Sequence, residues 1–221
     1  GVSPVHNPHP ASEAFIQAAM SLGIARTDDF NGPQQDGVGY LDLMVRGGQR
    51  SSAAVAFLRP VMGRSNLQVR TGALVERVLL EGRRARGLQF SMDGRTHRVG
   101  AREVLLCGGA INSPQLLMLS GIGPGAALSQ LGIPVALDLP GVGQNLHDHV
   151  YAHCLARVDQ GYSLNPKISR NWKMIPDVLE YAFRRTGLLT SAAAQVGLFV
   201  RTREGLQAPD MQLQMRPFSM I

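Results

Sequence analysis

The densest group of ionisable side chains is His147-Asp148-His149, with His153 four residues further on. In an extended strand the side-chain period is two, so His147, His149 and His153 would share one face. Three imidazoles on one face can hold a metal, but no Glu or Cys completes a recognised ligand spacing, and no metal is expected. The other reading is a polar cleft wall in which Asp148 caps nearby backbone. A second unusual stretch is EVLLCGGAINSPQLLMLSGIGP, residues 103–124. Here an apolar run ends in Gly108-Gly109, and Ser113-Pro114 opens another that ends at Gly121. A bend without side chains would place backbone N–H groups and a helix N-terminus at the carboxyl end of a strand, where ligands sit in open α/β sheets. The same glycines would also serve simple close packing of strand on helix. Spacing alone leaves both readings open. No nucleophile elbow, Walker loop or HExxH motif occurs. Gly141-Val142-Gly143 lacks the third glycine of a dinucleotide fingerprint.

Several elements must position these groups. Apolar spacing predicts a helix over 11–22, with Ser12 as N-cap and Gly23 at its end. A short helix is expected over 51–58, capped by Ser51 or Ser52. From 66 onward the period shifts to two, and strands are expected near 67–70, 73–80, 84–91, 95–99 and 103–107. Asp93-Gly94 between two alternating runs signals a tight hairpin. Val104–Cys107 is apolar without alternation, which reads as a strand buried on both faces in a parallel sheet. Helices follow at 114–120, begun by Ser113 and Pro114, and at 125–131, closed by Gly132. Strands are expected at 134–138 and 147–159, a helix at 176–185, and strands at 195–202 and 211–218. The change in texture near residue 150 suggests a boundary.

Composition bounds the class. Hydrophobic residues make up 44% and charged residues 17% of 221, enough apolar content for a packed core. The net charge is +6, but the cations are scattered along the chain, so no nucleic-acid partner is expected. Cys107 and Cys154 stand in no CxxC spacing and read as buried thiols. No apolar run reaches the ~18 residues of a membrane span. The first residues show neither an initiator Met nor a signal pattern, so the chain is expected to begin mid-protein.

The order of motifs resembles the middle of a glucose–methanol–choline (GMC) flavoenzyme. The resemblance rests on DFNG (29–32), GVGY (37–40), GGQRSSAAVAFLRP (47–60), NLQVRTGALVERVLLEGRRARGL (66–88), REVLLCGGAINSPQLLMLSGIGP (102–124) and LPGVGQNLHDH (139–149). It implies an α/β (α+β overall) fold: part of an FAD-binding domain with a mixed sheet over 1–149, then the start of an antiparallel-sheet substrate domain over 150–221. It implies FAD as cofactor in the full-length protein, with little or none retained by this chain alone. Val75 resembles the residue whose backbone meets the adenine. Cys107, Gly108, Gly109 and Ala110 resemble the segment lying against the adenosine part. The loop 145–149 resembles the passage toward the catalytic cleft.

The family's GxGxxG segment and its catalytic pair, a His with a second His or an Asn, match nothing here, so no catalytic residue is assigned and the chain alone is expected to be inactive. Family members acting on choline carry a Glu two residues after the Asp-His pair. Tyr151 stands there, making it the expected substrate-wall residue, and an aromatic face can also hold a quaternary cation. The implied activity is oxidation of a primary alcohol or polyol to an aldehyde or ketone by hydride transfer to flavin. The competing reading is a non-enzymatic module that keeps the sheet for binding or oligomerisation.

Overall fold

The computed structural model describes residues 1–159 and 161–219. In chain order the elements are helix α1 (Pro10–Ser21), strands β1 (Gly37–Tyr40), β2 (Val45–Arg46), β3 (Gln49–Arg50), β4 (Leu74–Glu81), β5 (Arg84–Met92) and β6 (Arg95–Gly100), and helix α2 (Gly109–Leu119). Strand β7 (Ile122–Gly123), helix α3 (Gly125–Gln130), strand β8 (Leu137–Asp138), helices α4 (Asn165–Ile168) and α5 (Ile175–Arg184), and strands β9 (Val196–Val200) and β10 (Met211–Met215) follow. Packing divides the chain into two units: Gly1–Leu67 with His153–Ile221, and Gln68–Ala152.

In the first unit β9 is the middle of a three-stranded antiparallel sheet ordered β1-β9-β10. It pairs with β1 from Gly37↔Phe199 to Tyr40↔Val196, joining segments more than 150 residues apart in sequence. Helix α1 lies on this sheet, and Ile16, Ala19, Val38, Val196 and Leu198 form the core. Gly39 is required here, because a Cβ on it would stand 2.0 Å from the Thr27 carbonyl oxygen. The expected cap of α1 is corrected by the structure. His9 is the N-cap, its Nδ1 accepting the Ala11 N–H at 3.2 Å, and Pro10 takes the first helical position. Ser12 lies inside the first turn and is fully buried. Around 51–58 the expected cap holds: Ser52 Oγ accepts the Val55 N–H at 3.3 Å. The turn it opens is π-helical over Ala54–Leu58.

The second unit holds the meander β4-β5-β6. The expected hairpin joins β5 to β6, with Asp93 at φ 52° and Gly94 at φ 71°, the two left-handed residues of a type I′ turn. Val78 and Phe90 are buried beneath it. Helix α2 packs on β4, and Ser120 Oγ at its end accepts the Val78 N–H at 2.8 Å. Strands β7 and β8 pair in parallel, joined through α3, whose Leu128 is 1% exposed.

Three expected strands are absent among the described residues. Segments 67–70, 103–107 and 147–159 find no strand partner there. Val104–Cys107 therefore has no sheet to be buried in: Leu105 is 77% exposed, and the Cys107 thiol is exposed too. Cys154, in the stretch without regular structure after 147, is likewise exposed. A strand that is apolar on both faces needs neighbours in its sheet before it can be buried.

Candidate cofactor-contacting site

The bend after residue 106 is built differently from its expected form. Helix α2 begins at Gly109, not Pro114, with Gly108 as N-cap and no side chain capping the first turn. Ser113 does not cap the helix from outside. It lies within it, and its Oγ accepts the Gly108 N–H at 3.0 Å, closing the bend on itself. Pro114 sits in the helix interior, where its missing N–H leaves one carbonyl of the first turn unpaired within the helix.

The two glycines then serve different purposes. A Cβ on Gly108 would meet Asn112 Cβ at 3.1 Å and Ser113 N at 3.3 Å, so this glycine answers to packing within the chain. Gly109 has φ +82° and nothing within 4 Å of a built Cβ. Its lack of a side chain answers to the left-handed backbone, and it faces open space. Cys107, Gly108, Gly109 and Ala110 are all exposed. The result is a stretch of accessible main chain leading into an uncapped helix start, whose first N–H groups lack helical acceptors. The local dipole there favours negative charge.

Val75 lies in the same unit, half-buried on β4 opposite Phe90. A bulge follows it, between Val75 and Arg77. Because β4 is the edge of its sheet, alternate main-chain groups along it have no strand partner. Val78 shows this directly, its N–H turning away from β5 to the Ser120 hydroxyl. An edge strand and a bare, uncapped helix start in one compact unit suit the flat, polar-edged adenosine part of FAD. The residues present fit the group.

The remaining candidates fare differently. Tyr151 is 78% exposed, in a stretch without regular structure. Asn145 takes a left-handed φ of 58°, turning the loop before it. Asp148 Oδ1 accepts the His149 N–H at 2.8 Å, the backbone-capping role raised for it. Among the described residues no three His, Cys, Asp or Glu side chains gather as a metal site.

Sequence reasoning missed a buried polar node in the first unit. Gln195 is 4% exposed. Its Oε1 accepts the His9 N–H at 2.7 Å and the Ser12 hydroxyl at 2.9 Å; its Nε2 donates to the Asn7 carbonyl at 2.9 Å and to Ser191 Oγ at 2.6 Å. Burial beside this node pushes the His9 imidazole below its ordinary pKa. Nothing in the neighbourhood of Gln195 in sequence announces partners more than 180 residues away.

The GMC oxidoreductase family model matches residues 1–151, more than half of the chain. The chain belongs to the GMC oxidoreductases. The choline dehydrogenase of Mus musculus mitochondria is 44% identical to this GMC chain over 96% of its length. The oxygen-dependent choline dehydrogenase of Burkholderia ambifaria is 42% identical over 95%. The GMC chain spans 36% and 37% of those two proteins, a little over a third of their length. Among solved structures, a formate oxidase of Aspergillus oryzae shares the fold with a TM-score of 0.84 at 24% identity, covering 98% of this chain and 42% of that one. An FAD-dependent oxidoreductase from Chaetomium thermophilum superposes with a TM-score of 0.75 at 27% identity, covering 90% and 36%. The mixed α/β fold is thus that of the GMC enzymes, and FAD is the cofactor of the family. No helix among the described residues is long and apolar enough to cross a membrane.

Proposed function

We propose that this chain is the adenosine-side bed of an FAD-dependent oxidoreductase that oxidises CH–OH donors. The observation that carries the proposal is the exposed, uncapped start of α2 with the open Gly109. Bound FAD would supply the hydride acceptor. The chain's own residues bind and orient: main chain at Val75 meets the adenine, and the 107–110 segment lies against the adenosine. Residues 1–149 belong to the FAD domain and 150–221 open the substrate domain. That division by role differs from the division by packing, in which the first 67 residues consolidate with those after 152.

Tyr151 forms part of the substrate wall. The substrate is a primary alcohol or polyol; the names of the choline dehydrogenases support a choline-like alcohol as a second reading, with the Tyr151 ring offering its π face to the cation. The setting is a bacterial cytoplasm.

The test uses the intact polypeptide. Its visible spectrum should show oxidised flavin that bleaches anaerobically on adding an alcohol, and comparing choline with neutral alcohols and polyols selects the substrate. An intact protein purified without flavin, and gaining none from added FAD, would support a binding module instead. Residues 1–221 alone should show no turnover with any of these alcohols.

A further inference from the structure

The first unit contains a cavity of about 630 Å³ that the proposed reaction does not use. Three separate stretches of chain border it: residues from the first seven, the β2–β3 hairpin, and the run from the end of α5 to Thr190. Arg46, Arg184 and Arg185 are among its lining residues, all three solvent-exposed, and no Asp or Glu is. Arg46 and Arg184 take part in none of the ion pairs among the described residues, and Arg185 lies over the Tyr181 ring at 4.8 Å. Glu180, on the same helix as Arg184, already accepts the Thr186 hydroxyl at 3.0 Å.

Thr186 and Thr190 also border it, their hydroxyls donating to the Glu180 carboxylate and to the Gly187 carbonyl. The wall between the hairpin and α5 is also close-built. A Cβ on Gly48 would lie 2.1 Å from the Arg185 carbonyl oxygen, so the hairpin tip sits directly against the residue that carries one of the three cations. Three exposed arginines beside one concavity, none of them in an ion pair among the described residues, leave a local excess of positive charge. Their planar forks match the paired oxygens of a phosphate or carboxylate.

We propose that this cavity binds a small oxyanion, held by Arg46 and Arg184 from two separate segments, with Arg185 beside them. None of its lining residues is among those assigned to the flavin bed. It would let an anionic metabolite tie the hairpin to the end of α5 within the first unit.

The experiment is calorimetric titration of the intact, flavin-loaded protein with inorganic phosphate and, in a second arm, with acetate. Saturable binding of either supports the site, and the stronger of the two assigns phosphate or carboxylate chemistry. Arg46→Ala and Arg184→Ala should each weaken that binding about tenfold or more, the effect of losing a charge-assisted hydrogen bond, with flavin content unchanged. Arg46→Lys and Arg184→Lys keep the charge and guard against loss of folding; they should weaken binding less, by losing only the fork geometry. The proposal is overturned if neither anion binds saturably, or if the alanine variants bind as the wild type does.

Discussion

Two polar neighbourhoods of this chain are built on opposite principles. Around Gln195 both amide hydrogens and both oxygen lone pairs are used, by Asn7, Ser191, His9 and Ser12, and the glutamine itself is buried. Around 107–110 the main chain is exposed, no side chain caps the helix, and the space beside Gly109 is empty of protein. A fully satisfied buried cluster holds a fold together. A helix start left open at a glycine the backbone alone requires is disposed toward a ligand. The difference separates polarity used inside the fold from polarity left open to what binds there under the proposed function, without recourse to residue type.

The comparison is broken most severely by Gln195→Leu. It strands the buried Ser12 hydroxyl and removes the partner of the half-buried His9 N–H and Ser191 hydroxyl, and should destabilise the first unit by about 2–4 kcal/mol, read by denaturant unfolding. Flavin affinity of the intact protein, corrected for the folded fraction, should hold. Next comes Gly109→Ala. With no atom within 4 Å to strike, its cost is that of a left-handed residue alone, about 1–2 kcal/mol. Its distinctive effect should be lost flavin occupancy, measured by absorbance after dialysis. Ser113→Ala sharpens the same region. It frees the Gly108 N–H at a cost of about 0.5–1.5 kcal/mol, and tests whether the bend needs its internal tie to keep its shape.

The smallest effect belongs to Glu13, whose carboxyl is held below its ordinary pKa by hydrogen bonds from Gln17 and Tyr40 and by Arg26. A carboxylate with a depressed folded value contributes stability at neutral pH and loses it as pH falls through that value. Acid titration of wild type against Glu13→Gln should show a slightly steeper loss in the wild type, confined to the acidic side of the ordinary carboxylate range.

Local signals were legible and long-range ones were not. Asp93-Gly94 specified its turn because both residues tolerate positive φ, and Gly121 and Gly132 ended their helices for the same reason. The strands of the meander could be read because each pairs with its neighbour in sequence. Val104–Cys107 could not: its pattern demands strands on both sides, and none of those described here supplies them. The start of α2 was misplaced because Ser113 and Pro114 carry strong capping preferences, whereas Gly109, a poor helix former, begins the helix in fact. Ser12 was misread for a related reason. A serine near a helix start suggests a cap until a buried glutamine from the far end of the chain claims its hydroxyl.

The most direct test of the account is the structure of the intact protein with FAD bound. The adenosine part should lie against Cys107–Ala110, with Val75 main chain at the adenine edge. Density for the adenosine elsewhere, with the start of α2 still open to solvent, would contradict the account.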